Sequence, residues 1–179
     1  MRYFLILSLF CPLLVKAVNV NGYAQVTLIV TNVLTIGTSD ETGASFVAGK
    51  DVIIMQMQDN VIGTNTSNNS NFGNLSSIQK AGVYVVRTIT SVTRVLGSPT
   101  VITLNSSVGT TFNIGANASV QAITFEYLGY NYTLSTPLSP LDWNGVIGGV
   151  VAVRAAGTLT LAASITADGK GFRGGARDR

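Results

Sequence analysis

The sequence predicts an all-β fold: an antiparallel small barrel or sandwich module followed by the start of a second β-layer or β-solenoid. Three observations carry this expectation. Thr, Ser, Asn, Val and Gly dominate, while charged residues make up only 11% of the 179 positions, a composition suited to strands and turns. Apolar positions recur with a period of two, and no period of 3.6 persists beyond a turn or two. Polar clusters at 37–44, 65–74 and 105–117 punctuate the apolar runs where a chain must turn.

The elements follow in order. Ala24–Val30 alternates, and Thr31-Asn32 turns it back into Val33–Ile36 as a hairpin. Val52–Met57 is a continuous apolar run, as in a strand covered on both faces. Val83–Val92 is long and half-alternating, and Val101–Leu104 follows it. Within Val120–Tyr127, the residues Ile123, Phe125 and Tyr127 share one face. Tyr130, Tyr132 and Leu134 alternate with Asn131 and Thr133. These segments form one antiparallel module over 18–128. Pro137 and Pro140 then mark the passage into three short runs, Val150–Val153, Thr158–Leu161 and Ile165–Ala167, separated by small residues. They predict a second, solenoid-like β-layer beginning over 129–175, with 176–179 as a tail. A layer that has just begun needs more polypeptide to cover it. The chain is therefore expected to be the leading piece of something longer.

Residues 1–17 have the order of a secretory signal peptide. Arg2 precedes the apolar run Tyr3–Val15, which is too short to span a bilayer, and Val15-Lys16-Ala17 is a small-residue cleavage pattern. Gly22-Tyr23-Ala24 is a second cleavage candidate. A buried first strand is the alternative, and Pro12 argues against it. Cleavage removes Cys11, the one cysteine, leaving no thiolate and no disulfide. The expected location is secreted or cell-surface, or periplasmic if the chain is made only as this fragment, and it is not expected to span a membrane.

The formal charge of +3 comes from the two ends. Between 18 and 169 the bases are Lys50, Lys80, Arg87, Arg94 and Arg154. The acids are Asp40, Glu41, Asp51, Asp59, Glu126, Asp142 and Asp168, a net charge of −2. Phosphate binding needs clustered bases, and these are scattered, so no nucleic-acid partner is expected.

The chain contains no His, which removes Ser-His-Asp triads, His general bases and nearly all zinc sites. Ser77-Ile78-Gln79-Lys80 fits S-x-x-K, but that pairing needs a helical turn and its neighbours are loop-like. Gly169-x-Gly171-x-x-Gly174 fits the dinucleotide fingerprint, yet only five residues follow for the required helix. The expectation is a non-catalytic protein with no cofactor and no metal ligands.

Candidate ligand contacts are few. Trp143 is a core or junction ring, or else a sugar-stacking platform together with Tyr130. Asn68, Asn69 and Asn71 belong to the Asn- and Ser-rich stretch 64–74, a solvated loop whose amides offer an alternative carbohydrate or cation site, with Asp59 the nearest acid in sequence. Gly148, Gly149, Gly171 and Gly174 are expected as structural glycines in tight turns. Arg154 interrupts an apolar stretch and should point outward or meet a carboxylate such as Asp142.

The strings FVAGKDVIIMQMQ, SNNSNFGNLSSIQKAGVY, SVTRVLGSPTVITLNSSV, LDWNGVIGGVVAVRAAGTLTL and ADGKGFRGG resemble the amino-terminal region of very large secreted surface proteins of Bacteroidota-type bacteria. Such proteins are type IX secretion cargo, adhesin-like or associated with gliding motility. The resemblance runs from about Gly22 to Gly175. It is most specific at Trp143-Asn144-Gly145 with Gly148-Gly149, and at Gly171-Phe172-Arg173-Gly174-Gly175. It implies a non-catalytic surface module whose partners are the remainder of a longer polypeptide or other surface proteins. Alternatives are a carbohydrate-binding module that meets polysaccharide, or the leading part of a β-helical polysaccharide-degrading enzyme with its active site downstream.

Overall fold

The computed structural model describes residues 16–60 and 80–171, with no helix among them. Asn68, Asn69, Asn71, Ser77, Gly174 and most of the expected signal peptide lie outside the described residues. Six strands, β1 (Tyr23–Val30), β2 (Val33–Asp40), β3 (Asp51–Gln58), β4 (Tyr84–Val95), β5 (Ser98–Leu104) and β6 (Ser119–Thr124), close an antiparallel barrel in the order β1-β2-β5-β4-β3-β6. β3, β4 and β5 are successive neighbours and β6 returns beside β3, a Greek-key connection. β6 also pairs with β1, from Tyr23↔Ile123 to Gln25↔Gln121, so the barrel leaves no edge open. Of the two all-β alternatives, the module is a barrel.

The period of two fills its interior. Val52 and Ile54 of β3 point inward with Val26, Leu34, Ile89, Ile102, Leu104 and Val120, and Phe46 plugs the core from the β2–β3 connection. Each such side chain, fully buried, contributes about 1.5–3 kcal/mol. Gln56 occupies the next inward position of β3 and is fully buried. Its amide nitrogen donates to the carbonyls of Gln58, Asn113 and Ser119, and its oxygen accepts the Asn113 N–H at 2.8 Å. A buried amide with both ends bonded costs little and fixes the 113–119 segment against β3. The outward residues Ile53 and Met55 are half-buried under a second cluster, formed by Tyr23, Ile123, Ile147 and Ala152. The apolar run is thus covered on both faces, by different partners.

The hairpin at Thr31-Asn32 closes at Val30↔Val33. Thr31 takes φ +56, strained for a β-branched residue. The turn is held by the Val108 N–H on the Thr31 carbonyl and by two bonds between Asn32 and the Leu104 backbone.

The strand read over 120–127 divides at Phe125. Its N–H still bonds the Asp51 carbonyl, but the Glu126 N–H turns to Ala152. The antiparallel module therefore ends at Thr124 rather than 128. Beyond it, β7 (Glu126–Gly129) pairs with β9 (Val153–Ala155), and β8 (Tyr132–Leu134) pairs with β10 (Leu159–Leu161), both parallel.

Three ionisable groups give the fold a pH signature. Burial raises the Glu41 carboxyl, but the two-pronged bond from Arg94 and the Phe46 N–H outweigh burial and hold it below the ordinary range. Burial likewise raises Asp59, and the Lys80 N–H, the Asn113 amide and the Asn60 N–H bring it below the usual value. Burial pushes the Tyr23 hydroxyl up to about 12, opposed by the Leu141 N–H and helped by Asp40. Depressed carboxylates stabilise above their unfolded pKa, about 4, and lose that contribution as pH falls through the folded values. A raised tyrosine stabilises below its unfolded pKa, about 10, and loses that contribution as pH rises through the folded value. The melting temperature is expected to be level from about pH 5 to 9 and to fall on both sides. The double variant Glu41→Gln, Asp59→Asn should start lower and show a flatter acid limb; an acid limb of unchanged steepness would refute the assignment.

Candidate functional site

Beyond the barrel, the segment from 126 to 171 builds a second unit of short parallel strand pairs. Its attachment is a buried polar seam. Asn21, fully buried, donates to the carbonyls of Thr124 (2.7 Å) and Ala152 (2.6 Å) and accepts the Ala152 N–H at 3.0 Å. Gln121, outward on β6, donates to the Gly148 carbonyl and accepts the Gly148 N–H, both at 2.9 Å. The Tyr23 hydroxyl donates to the Val150 carbonyl at 2.7 Å. Buried groups bonded at both ends hold two backbones in one register.

The attached segment repeats itself. Glu126↔Val153, Tyr132↔Leu159, Leu134↔Leu161 and the bridge Leu138↔Ile165 are parallel partners 27 residues apart. The Trp143 N–H bonds the Lys170 carbonyl with the same offset. Val18 pairs in parallel with Leu138 from the other side. Burial differs sharply along the stack: Leu134 and Leu138 are 2% and 3% exposed, whereas Leu161 and Ile165, in the same register one layer on, are 58% and 38% exposed. Among the described residues no strand pairs with the outer edge of β9 or β10. The second layer thus presents free backbone groups and aliphatic side chains of the kind the first layer buries.

A cleft opens where this stack meets the barrel. It has a volume of about 500 Å³ and is lined by Gly49, Lys50, Asp51, Phe125, Glu126, Tyr127 and Arg154. Arg154 pairs with Asp51 at 3.0 Å, and Lys50 lies 3.4 Å from Glu126. Thr88 donates to the other Asp51 oxygen at 2.8 Å. The carboxylate found by Arg154 is therefore Asp51, brought in by barrel strand β3, and Asp142 pairs with Lys170 instead. The exposed ring of Tyr127 forms one wall.

The residues singled out from sequence do not converge on this cleft. Trp143 is 8% exposed, so its ring is buried and offers no open stacking face. Tyr130 is exposed and leans on Gly157, outside the cleft lining. Asp59 spends its oxygens on Asn60, Lys80 and Asn113, tying together the two ends of the stretch 61–79. Gly148 has φ +106 and Gly149 φ +76, both packed against backbone, whereas a Cβ on Gly171 would meet open space. Sequence reading missed Asn21, Gln121 and the 27-residue register. A signal for the register exists: Tyr132-Thr133-Leu134 and Leu159-Thr160-Leu161 share Thr-Leu at that spacing, followed four residues later by Leu138 and Ile165. Among the described residues no group of three His, Cys, Asp or Glu side chains could hold a metal ion, and no helix is long and apolar enough to cross a membrane.

Comparison with family models, curated proteins and solved structures finds no match to this chain.

Proposed function

We propose that this chain is the non-catalytic, β-rich amino-terminal module of a large secreted or cell-surface adhesin-like protein, its barrel capping the first coils of a β-solenoid. One observation carries the reading: a 27-residue parallel register whose aliphatic positions are covered in the first layer and uncovered in the second. Parallel coils bury their stacked side chains only against a further coil. The closed barrel has no free edge, so it terminates the stack on its own side and leaves growth to the other. The sequence resemblance to large Bacteroidota surface proteins supports the same reading, and the absence of His agrees with a non-catalytic role. Of the two leader cleavage positions, the one after Ala17 fits the fold. Cleavage after Ala24 would remove Asn21 and Tyr23, both fully buried.

The test uses antibodies raised against this chain on the organism that makes it. The expected result is a band far larger than 18.7 kDa that external protease digests on intact cells. A protease-shielded band at 18.7 kDa would overturn the proposal.

A further inference from the structure

The structure assigns a ligand to the junction cleft: we infer that Lys50, Asp51, Glu126, Tyr127 and Arg154 form a binding site for a neutral saccharide. The inference does not depend on the capping role. Three features select the ligand class. First, the cleft is concave, of about 500 Å³, and within the size range of small-ligand sites. Its walls come from two pieces of hydrogen-bonded sheet, the start of β3 and the β7–β9 pair.

Second, its charges cancel locally. Two cations and two carboxylates form the pairs Arg154–Asp51 and Lys50–Glu126, each partly open to solvent. An anion approaching Arg154 or Lys50 would have to displace a carboxylate and then remain beside it, an unfavourable arrangement. A cation meets the mirror problem at Asp51 and Glu126. A sugar hydroxyl donates and accepts at once, so it can bridge a carboxylate and a neighbouring guanidinium or ammonium group without breaking either pair.

Third, Tyr127 is 58% exposed at the wall, offering an aromatic ring to the C–H side of a pyranose. Phe125 closes the floor beside it as a partly buried ring packed on the second core cluster. An aromatic face next to planar hydrogen-bonding groups fits a polyol better than a flat apolar molecule, which would leave four charged groups unsolvated. The carbohydrate reading thus moves from Trp143 and the Asn-rich stretch to residues that sequence spacing does not group.

The experiment titrates the full chain with four neutral tetrasaccharides, cellotetraose, laminaritetraose, mannotetraose and xylotetraose, and with polygalacturonate as the anionic probe, followed by NMR. At least one neutral probe should give saturable shifts at Tyr127 and Arg154, with affinity little changed between low and high salt. Tyr127→Ala should weaken it about tenfold or more, a loss of about 1.4 kcal/mol, with an unchanged melting temperature because the side chain is exposed. Tyr84→Ala, at an exposed tyrosine away from the cleft, should bind as the parent does. No binding by any neutral probe, binding that Tyr127→Ala leaves intact, or salt-sensitive binding of polygalacturonate alone would each overturn the assignment.

Discussion

Asn21→Leu is expected to destabilise the protein by about 3–5 kcal/mol, although leucine keeps the branched skeleton of asparagine and the site is fully buried. The substitution removes three hydrogen bonds at once, two donated to Thr124 and Ala152 and one accepted from the Ala152 N–H. The Ala152 carbonyl keeps a second donor, the Glu126 N–H at 3.2 Å, but its own N–H is left facing hydrocarbon. An orphaned buried donor costs about 1–3 kcal/mol, and each ordinary bond lost about 1 kcal/mol more. In a chain of this size that corresponds to a fall in melting temperature of roughly 10 °C. The damage should be local first. Asn21 joins barrel residue Thr124 to Ala152 beside β9, so amides of 147–161 should lose hydrogen-exchange protection while β3 and β6 keep theirs. A loss below about 1 kcal/mol by denaturant titration would mean that water satisfies the groups the amide leaves behind, and would refute the seam's role.

Gly148→Ala should cost a similar amount for a different reason, on the order of 3–5 kcal/mol. Its φ of +106 is one that L side chains rarely adopt. A Cβ built there would lie 2.5 Å from the Asp142 carbonyl oxygen and 2.9 Å from that of Leu141. Both obstacles are backbone and cannot rotate away, and Gly148 is pinned from the other side by Gln121. Strain of about 1–3 kcal/mol adds to overpacking of about 1–3 kcal/mol. Gly145→Ala is the internal control. Gly145 has φ +98, but a Cβ there meets nothing within 4 Å, so only the backbone term remains, about 1–2 kcal/mol. Equal losses at the two positions would show that the close approach at Gly148 relaxes.

The candidate site was legible only in fragments. Tyr127 was visible as part of an alternating run and Arg154 as a charge interrupting an apolar one, but nothing in sequence places Asp51 103 residues away beside Arg154. The β6–β7 break was equally hidden. Val120–Tyr127 alternates without interruption, and the strand leaves the barrel at Phe125 because the Ala152 carbonyl captures the Glu126 N–H. Gln56 and Gln121 read as ordinary polar positions in strands, since an amide's burial depends on which distant carbonyls face it.

The sequence by itself determined the all-β class, the Thr31-Asn32 hairpin and β3 as a strand covered on both faces. These follow from local causes: side chains alternate across a strand, and turn residues relieve backbone strain where they stand. Of the three short runs near the end, 158–161 holds β10, 150–153 meets β9 only at Val153, and 165–167 contributes a single bridge at Ile165. Only the tertiary structure decided that the module closes as a barrel, that the later strands pair in parallel at a 27-residue offset, and that three buried amides and one cleft lie where they do. Closure depends on β6 finding both β1 and β3, and parallel pairing needs no turn of its own between partners. Both are settled by hydrogen bonds between residues far apart in the chain, which leave no local pattern in sequence.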